Sequence, residues 1–171
     1  PMYIASGVKL VVLLAVHQAR VDGALGFAEQ LLYGQGDVRD GAPCLNSEPT
    51  GRRFEVRRLI RCMIRRSDNA ATDRLIKRIG LKRVNEAPLR AGLDGFGPIS
   101  RMIEVRQRFY ERLAKRPLDL EPGRIRRIRF ARIGQPRLRA LERALEFERG
   151  QLELEDLTQA YDRVLEGEWN R

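Results

Sequence analysis

The sequence predicts a mainly α-helical fold, and three observations carry that expectation. Apolar residues recur at helical spacing through most of the 171 positions. The period-two alternation that marks strands is nearly absent. Clusters of Gly, Pro, Asp and Asn fall between the periodic stretches, where turns belong. The length fits a single domain over residues 1–171. Hydrophobic residues make up 43% of the chain, enough for a real core, but aromatics only 6%, so aliphatic side chains must fill it.

Residues 7–20 are apolar nearly all round (Val8, Leu10, Val11, Val12, Leu13, Leu14, Ala15, Val16), which predicts a buried helix rather than an amphipathic one. Asp22-Gly23 ends it with a turn signal. Residues 34–53 read as loop, with Gly34, Gly36, Gly41, Pro43, Pro49 and Gly51. Helical period returns over 54–66, with Val56, Leu59, Ile60, Met63 and Ile64 on one face. Ser67-Asp68-Asn69 interrupts it, a helix resumes over 70–79, and Gly80 stops that one as a C′ glycine. A further helix covers 81–91, with Pro88 as a disturbance. Residues 93–98 form a loop, 99–113 a helix, 117–123 a second loop. Three more helices are expected over 124–133, 136–149 and 154–165.

The charge is lopsided: 33 Lys and Arg against 23 Asp and Glu, net +10. Lys9, Lys77, Lys82 and Lys115 are the lysines; arginine supplies the rest. Such a surface attracts nucleic acid, anionic membranes or acidic small molecules without choosing among them, and a solvated Arg-rich surface accounts for it equally. Cys44 and Cys62 could pair, although their lack of pattern points to buried free thiols. With His17 as the single histidine, no cluster offers the ligands of a structural metal site. The longest apolar run, 10–16, is too short to span a membrane.

Two motifs could carry chemistry. Ser6-Gly7-Val8-Lys9 is S-x-x-K at the start of the apolar helix. Positions i and i+3 share a helical face, so the Lys9 amine can reach the Ser6 hydroxyl. A hydroxyl becomes a good nucleophile when a base takes its proton, and a lysine shielded from water can be that base. The bland alternative is a Ser cap with a surface lysine, but Lys9 sits amid Val8, Leu10, Val11 and Val12, where an unsatisfied amine is uncommon. The second motif is Ser67-Asp68-Asn69, where a Ser can relay a proton and an Asn amide can hold a carbonyl or a lysine. Its alternative is a helix N-cap.

S-x-x-K followed by S-D-N resembles the motif set of class A β-lactamases and penicillin-binding proteins. Residues 1–9 resemble the nucleophile segment, residues 59–76 the helix, S-D-N loop and next helix, and residues 79–85 the turn and helix beyond. The resemblance is strongest over 1–97 and fades afterwards. It implies the helical half of a class A-like α/β fold, with most of the antiparallel sheet outside this chain. It implies that Ser6 forms an acyl-enzyme with a β-lactam or related amide, that Lys9 takes or relays its proton, and that Ser67 passes a proton to the leaving nitrogen. It implies also that Asn69 orients Lys9 and the substrate amide, and that the Ser6 backbone N–H supplies one oxyanion donor. It implies no cofactor and no metal, a monomer, and a periplasmic or extracellular parent whose signal peptide lies outside this chain.

The pattern departs from the family in two places. There is no E-x-x-L-N loop, whose Glu activates the deacylating water. Glu104 is the candidate base at about the right distance, but its neighbours fit an exposed helical carboxylate beside Arg101 and Arg108. The K-T-G motif, which brings the second oxyanion donor, is absent, so the 171 residues alone are expected to be inactive. A second reading therefore keeps the fold without efficient deacylation, as in penicillin-binding or inert relatives. A third is a basic helical module binding nucleic acid through the seven arginines of 124–139, with no recognised nucleic-acid motif behind it.

Overall fold

A computed structural model of the chain describes residues 5–39, 41, 43–93, 95–96 and 98–114. The helices expected over 124–133, 136–149 and 154–165, the loop over 117–123 and the arginine run 124–139 lie outside them.

The described residues are mostly helical. α1 (Val8–Val21) runs through the centre, and α2 (Val56–Arg66), α3 (Asn69–Ile79) and α4 (Leu81–Arg90) pack around it. α5 (Met102–Ala114) lies against α3. This arrangement explains why α1 has no polar face: the four consecutive residues Val11, Val12, Leu13 and Leu14 point to different sides of the helix and are all buried. Short ion pairs pin the helix ends. Asp22, just after α1, takes both Arg83 and Arg90 of α4, and Arg90 more than Arg83 holds its carboxyl below the usual range. Arg78 of α3 grips Glu29 with two guanidinium nitrogens and lowers that carboxyl too. Between α3 and α4 the chain turns on Gly80, at φ +90°, a conformation glycine adopts without the penalty a Cβ brings. Pro88 stands inside α4 without ending it; the helix closes two residues later at Arg90, and Ala91 N–H bonds back to Ala87 O.

The sequence reading missed a small sheet. β1 (Gln30–Leu32) and β2 (Arg53–Glu55) pair antiparallel, Leu31 opposite Phe54, and these two side chains face the core. Residues 53–55 are therefore strand, and α2 begins at Val56 rather than at Phe54. A three-residue strand is too short to show its alternation, and Phe54 also fits the apolar face of the helix that follows. The partner strand decides. It also starts α2, whose first orphan donors, Val56 N–H and Arg57 N–H, bond to Glu29 O and Phe27 O at 3.0 Å each. Glu55 makes no side-chain cap.

The stretch between the strands is better ordered than a loop reading implies. Its base is closed by Tyr33 N–H to Arg52 O and Gly51 N–H to Tyr33 O, both 2.8 Å, and it contains 3₁₀ turns at Gln35–Asp37 and Leu45–Ser47. Cys44 and Cys62 are not free thiols: a disulfide joins them, Cα to Cα 5.6 Å, and ties this stretch to α2. Eighteen residues of separation say nothing about proximity; the fold brings them together by returning the chain at Cys44 to α2. Reduction, or Cys62→Ala, is expected to lower the unfolding free energy by about 3 kcal/mol, the chain-entropy value for a loop of this length. Urea midpoints with and without dithiothreitol check it. Equal midpoints would show that the bridge constrains nothing.

Candidate active site

Ser6 stands in the 3₁₀ turn Ala5–Gly7, which runs straight into α1, and is exposed. Lys9 follows in the first turn of α1 and is only 3% exposed. Its stem lies among aliphatic neighbours while its amine leaves the core toward polar atoms. Nζ donates to the Ser67 carbonyl at 2.7 Å, to Ser67 Oγ at 2.7 Å and to Asn69 Oδ1 at 2.9 Å. Three acceptors match the three donors of a lysine ammonium. Ser67 Oγ in turn donates to Ser6 Oγ at 2.7 Å. Four side chains separated by up to 63 positions thus form one hydrogen-bonded chain, Ser6–Ser67–Lys9–Asn69.

The local backbone explains how S-D-N divides its labour. Ser67 ends α2 at φ 53°, ψ 35°, the one non-glycine with positive φ among the described residues. That left-handed conformation costs about 1–2 kcal/mol without glycine. Lys9 holds both the carbonyl and the hydroxyl of the strained residue, which offsets the cost and fixes the side chain toward Ser6. The capping that the sequence allowed to any of the three falls to Asp68. Its Oδ1 accepts from Ala71 N–H at 2.8 Å, its carbonyl accepts from Thr72 Oγ1 at 2.7 Å, and it is fully buried. Asn69 is the first residue of α3, one position after the cap, and faces Lys9.

A layer of residues that sequence reasoning did not single out supports this arrangement. Asp68 Oδ2 accepts from Asn46 N–H at 3.1 Å. The Asn46 side chain accepts from Arg39 N–H at 3.0 Å and donates to Arg39 O, so Arg39 and Asn46 are held together beside S-D-N. Gly41, at φ +112°, passes close over Asn69: a Cβ there would stand 3.0 Å from Asn69 Nδ2. Arg39, itself buried, puts Nε 2.6 Å from Asp73 Oδ2. Asp73 also accepts from Met102 N–H at 2.5 Å and Ile103 N–H at 2.9 Å, capping α5 from α3. Asp73 follows Asn69 by four residues, one helical turn, so α5 begins one turn from the site. That spacing was the available signal, but it gains meaning only once α5 is docked.

Glu104 is placed in the first turn of α5. Its carboxylate accepts from Arg101 N–H at 3.1 Å and from the Arg101 guanidinium at 2.8 and 2.6 Å. Arg108 bonds to the Glu104 carbonyl and to Ser100. The structure therefore brings Ser6, Lys9, Ser67 and Asn69 together and occupies the Glu104 carboxylate with Arg101. Among the described residues no group of His, Cys, Asp and Glu could hold a metal ion, and no helix is long and apolar enough to cross a membrane.

Comparison with known proteins bears on the fold and the family. A beta-lactamase from Sphaerobacter thermophilus is 28% identical, with a TM-score of 0.54 over 58% of this chain and 37% of its own. PBP-A is 23% identical with a TM-score of 0.54, over 60% of this chain and 39% of that one. A beta-lactamase from Burkholderia phymatum is 21% identical with a TM-score of 0.52, over 93% and 53%. Below a quarter identity the last two speak to the fold alone. The chain spans about two fifths of the length of PBP-A and of the Sphaerobacter protein. No curated protein sequence matches it. The model of the beta-lactamase enzyme family matches residues 1–117, more than half of the 171. This chain belongs to the beta-lactamase enzyme family.

Proposed function

We propose that this chain carries the nucleophile side of a serine acyl-transfer site acting on a β-lactam or related amide. The observation behind it is the unbroken chain from Ser6 Oγ through Ser67 Oγ to Lys9 Nζ. A hydroxyl both donates and accepts, so a proton can travel along it in either direction. The attack needs Lys9 as the neutral amine and the hydrogen bonds of the chain reversed: Ser6 Oγ then bonds to the carbonyl carbon, its proton goes to Ser67 Oγ, and the Ser67 proton goes to Lys9 Nζ, which becomes the ammonium. As the tetrahedral intermediate collapses, the C–N bond breaks, and the proton returns from Lys9 through Ser67 to the leaving nitrogen. Asn69 holds the Lys9 amine and presents its amide to the substrate. The Ser6 N–H, in the 3₁₀ turn that leads into α1, would donate to the carbonyl oxygen as negative charge develops there, favoured by the helix dipole. The Cys44–Cys62 bridge supports an oxidising, extracytoplasmic compartment for the protein.

A second reading concerns turnover, and the Arg101–Glu104 pair favours it. Deacylation needs a base that activates water, a contribution of about 10²–10⁴-fold in rate. The carboxylate nearest in sequence to that role is already engaged by Arg101. The longest reading frame carrying this segment is expected to acylate on Ser6 and release product slowly, so that the adduct accumulates. The 171 residues by themselves, without K-T-G, are expected to give no turnover. Intact-mass spectrometry after mixing with benzylpenicillin reads the adduct directly. Rapid steady-state hydrolysis with no adduct would mean that another base serves the site.

A further inference from the structure

The acyl-transfer reading leaves the outward face of α2 unexplained. Seven arginines fall between residues 48 and 66, against Glu48 and Glu55. Burial of Val56, Leu59, Ile60, Cys62 and Met63 on the inner face turns the rest of the helix to solvent. Arg57, Arg61 and Arg65 follow at i, i+4 and i+8, a straight row along the exposed side, with Arg58 beside them. Arg57 pairs with Glu55, and Arg58 with Glu48. Arg61, Arg65 and Arg66 have no acidic partner among the described residues. Such a row of like charges destabilises the helix that bears it, so local stability does not account for it. Ile64 lies inside the row and is 41% exposed.

We propose that this face of α2 docks the protein on an anionic phospholipid surface. The row supplies distributed positive charge, and Ile64 an apolar side chain to enter the headgroup layer. Nucleic acid is the competing polyanion. The row carries no aromatic side chain on which a base could stack, and the disulfide belongs to compartments outside the cytosol. Ser67 caps α2, so a helix lying flat on the membrane keeps the candidate site within one helix length of it, about 16 Å for 11 residues. The proposal stands apart from the acyl-transfer chemistry, since none of its residues belongs to the Ser6–Lys9 chain.

The test is co-sedimentation of the full 171-residue chain with vesicles of phosphatidylglycerol mixed with phosphatidylcholine, and with phosphatidylcholine alone. Binding is expected to the anionic vesicles only, and to weaken as salt is raised. The triple variant Arg57→Gln, Arg61→Gln, Arg65→Gln is expected to bind about a hundredfold more weakly, at the usual contribution per arginine near a charged surface. The corresponding Arg→Lys triple should bind nearly as well as the parent. Removing the same charge elsewhere, with Arg126→Gln, Arg127→Gln, Arg129→Gln, should leave binding close to the parent value. Arg61→Glu alone, at an exposed and unpaired position, repeats the test where folding is least at risk, with circular dichroism confirming the fold. Equal loss in the two Gln triples, equal binding to neutral vesicles, or capture of duplex DNA through the same three arginines without vesicle binding would each overturn the proposal.

Discussion

Ser6→Ala is expected to abolish covalent labelling by benzylpenicillin, and Lys9→Ala to slow it by about 10²–10⁴-fold. The first change removes the atom that bonds to the carbonyl. The second leaves the atom but takes away the terminus of the proton chain, so Ser67 Oγ can accept the Ser6 proton only by releasing its own to water. Lys9→Arg should not restore the rate. A guanidinium stays protonated at any working pH, and it is too large for a position 3% exposed that holds three acceptors within 2.9 Å. Ser67→Ala belongs to the same series. It breaks the link in the middle while leaving the carbonyl that Lys9 also holds, so it should slow labelling with little harm to folding. Mass spectrometry over a time course in the longest reading frame carrying this segment gives all four rates. Undiminished labelling of Ser6→Ala would move the nucleophile elsewhere, and a Lys9→Ala rate equal to the parent's would remove lysine from the proton path.

Asp73→Ala is expected to destabilise the fold by about 3–5 kcal/mol, the largest effect of any single side-chain truncation considered for this chain. Asp73 is almost fully buried and serves three donors: Arg39 Nε, Met102 N–H and Ile103 N–H. Truncation strands a buried guanidinium, whose remaining partners, Gly36 O and Val38 O, carry no charge, and uncaps α5 at the same time. Asp73→Asn should fall between, because an amide oxygen can still take one backbone donor but leaves Arg39 uncompensated. The double variant Arg39→Met, Asp73→Ala should recover part of the loss, since it removes the stranded charge. Urea unfolding measures each. A cost under about 1 kcal/mol for Asp73→Ala would mean that water replaces the carboxylate without penalty, and that α5 is not held by this contact. The labelling rate should fall with Asp73→Ala as well, because Asn69 lies one turn away on the same helix.

The beginning of the fold was readable because its signals are local. An apolar run without a polar face can only be a buried helix once its length rules out a strand, and α1 emerged within one residue of the expected end. Glycine at position 80 marked its turn for the same reason, a backbone preference that belongs to one residue. S-x-x-K and S-D-N were likewise visible as short patterns. The strand pair Gln30–Leu32 with Arg53–Glu55 was not, because three residues of alternation look the same in a strand as at the edge of a helix; only the partner distinguishes them.

By itself, then, the sequence determined which residues could do chemistry at the start of α1 and at the α2–α3 junction, and that helices would carry them. Tertiary structure alone decided the rest. It turned Ser67 into the left-handed conformation that aims its hydroxyl at Ser6, and gave the capping role in S-D-N to Asp68. It paired Cys44 with Cys62, buried Arg39 against Asp73, and engaged Glu104 with Arg101. The physical reason is common to these cases. Helical period and turn chemistry act over a few residues and leave a mark in the sequence. A disulfide, a buried ion pair or a hydrogen bond across 58 to 61 residues depends on where the chain returns, and the side chains at its two ends carry no record of each other.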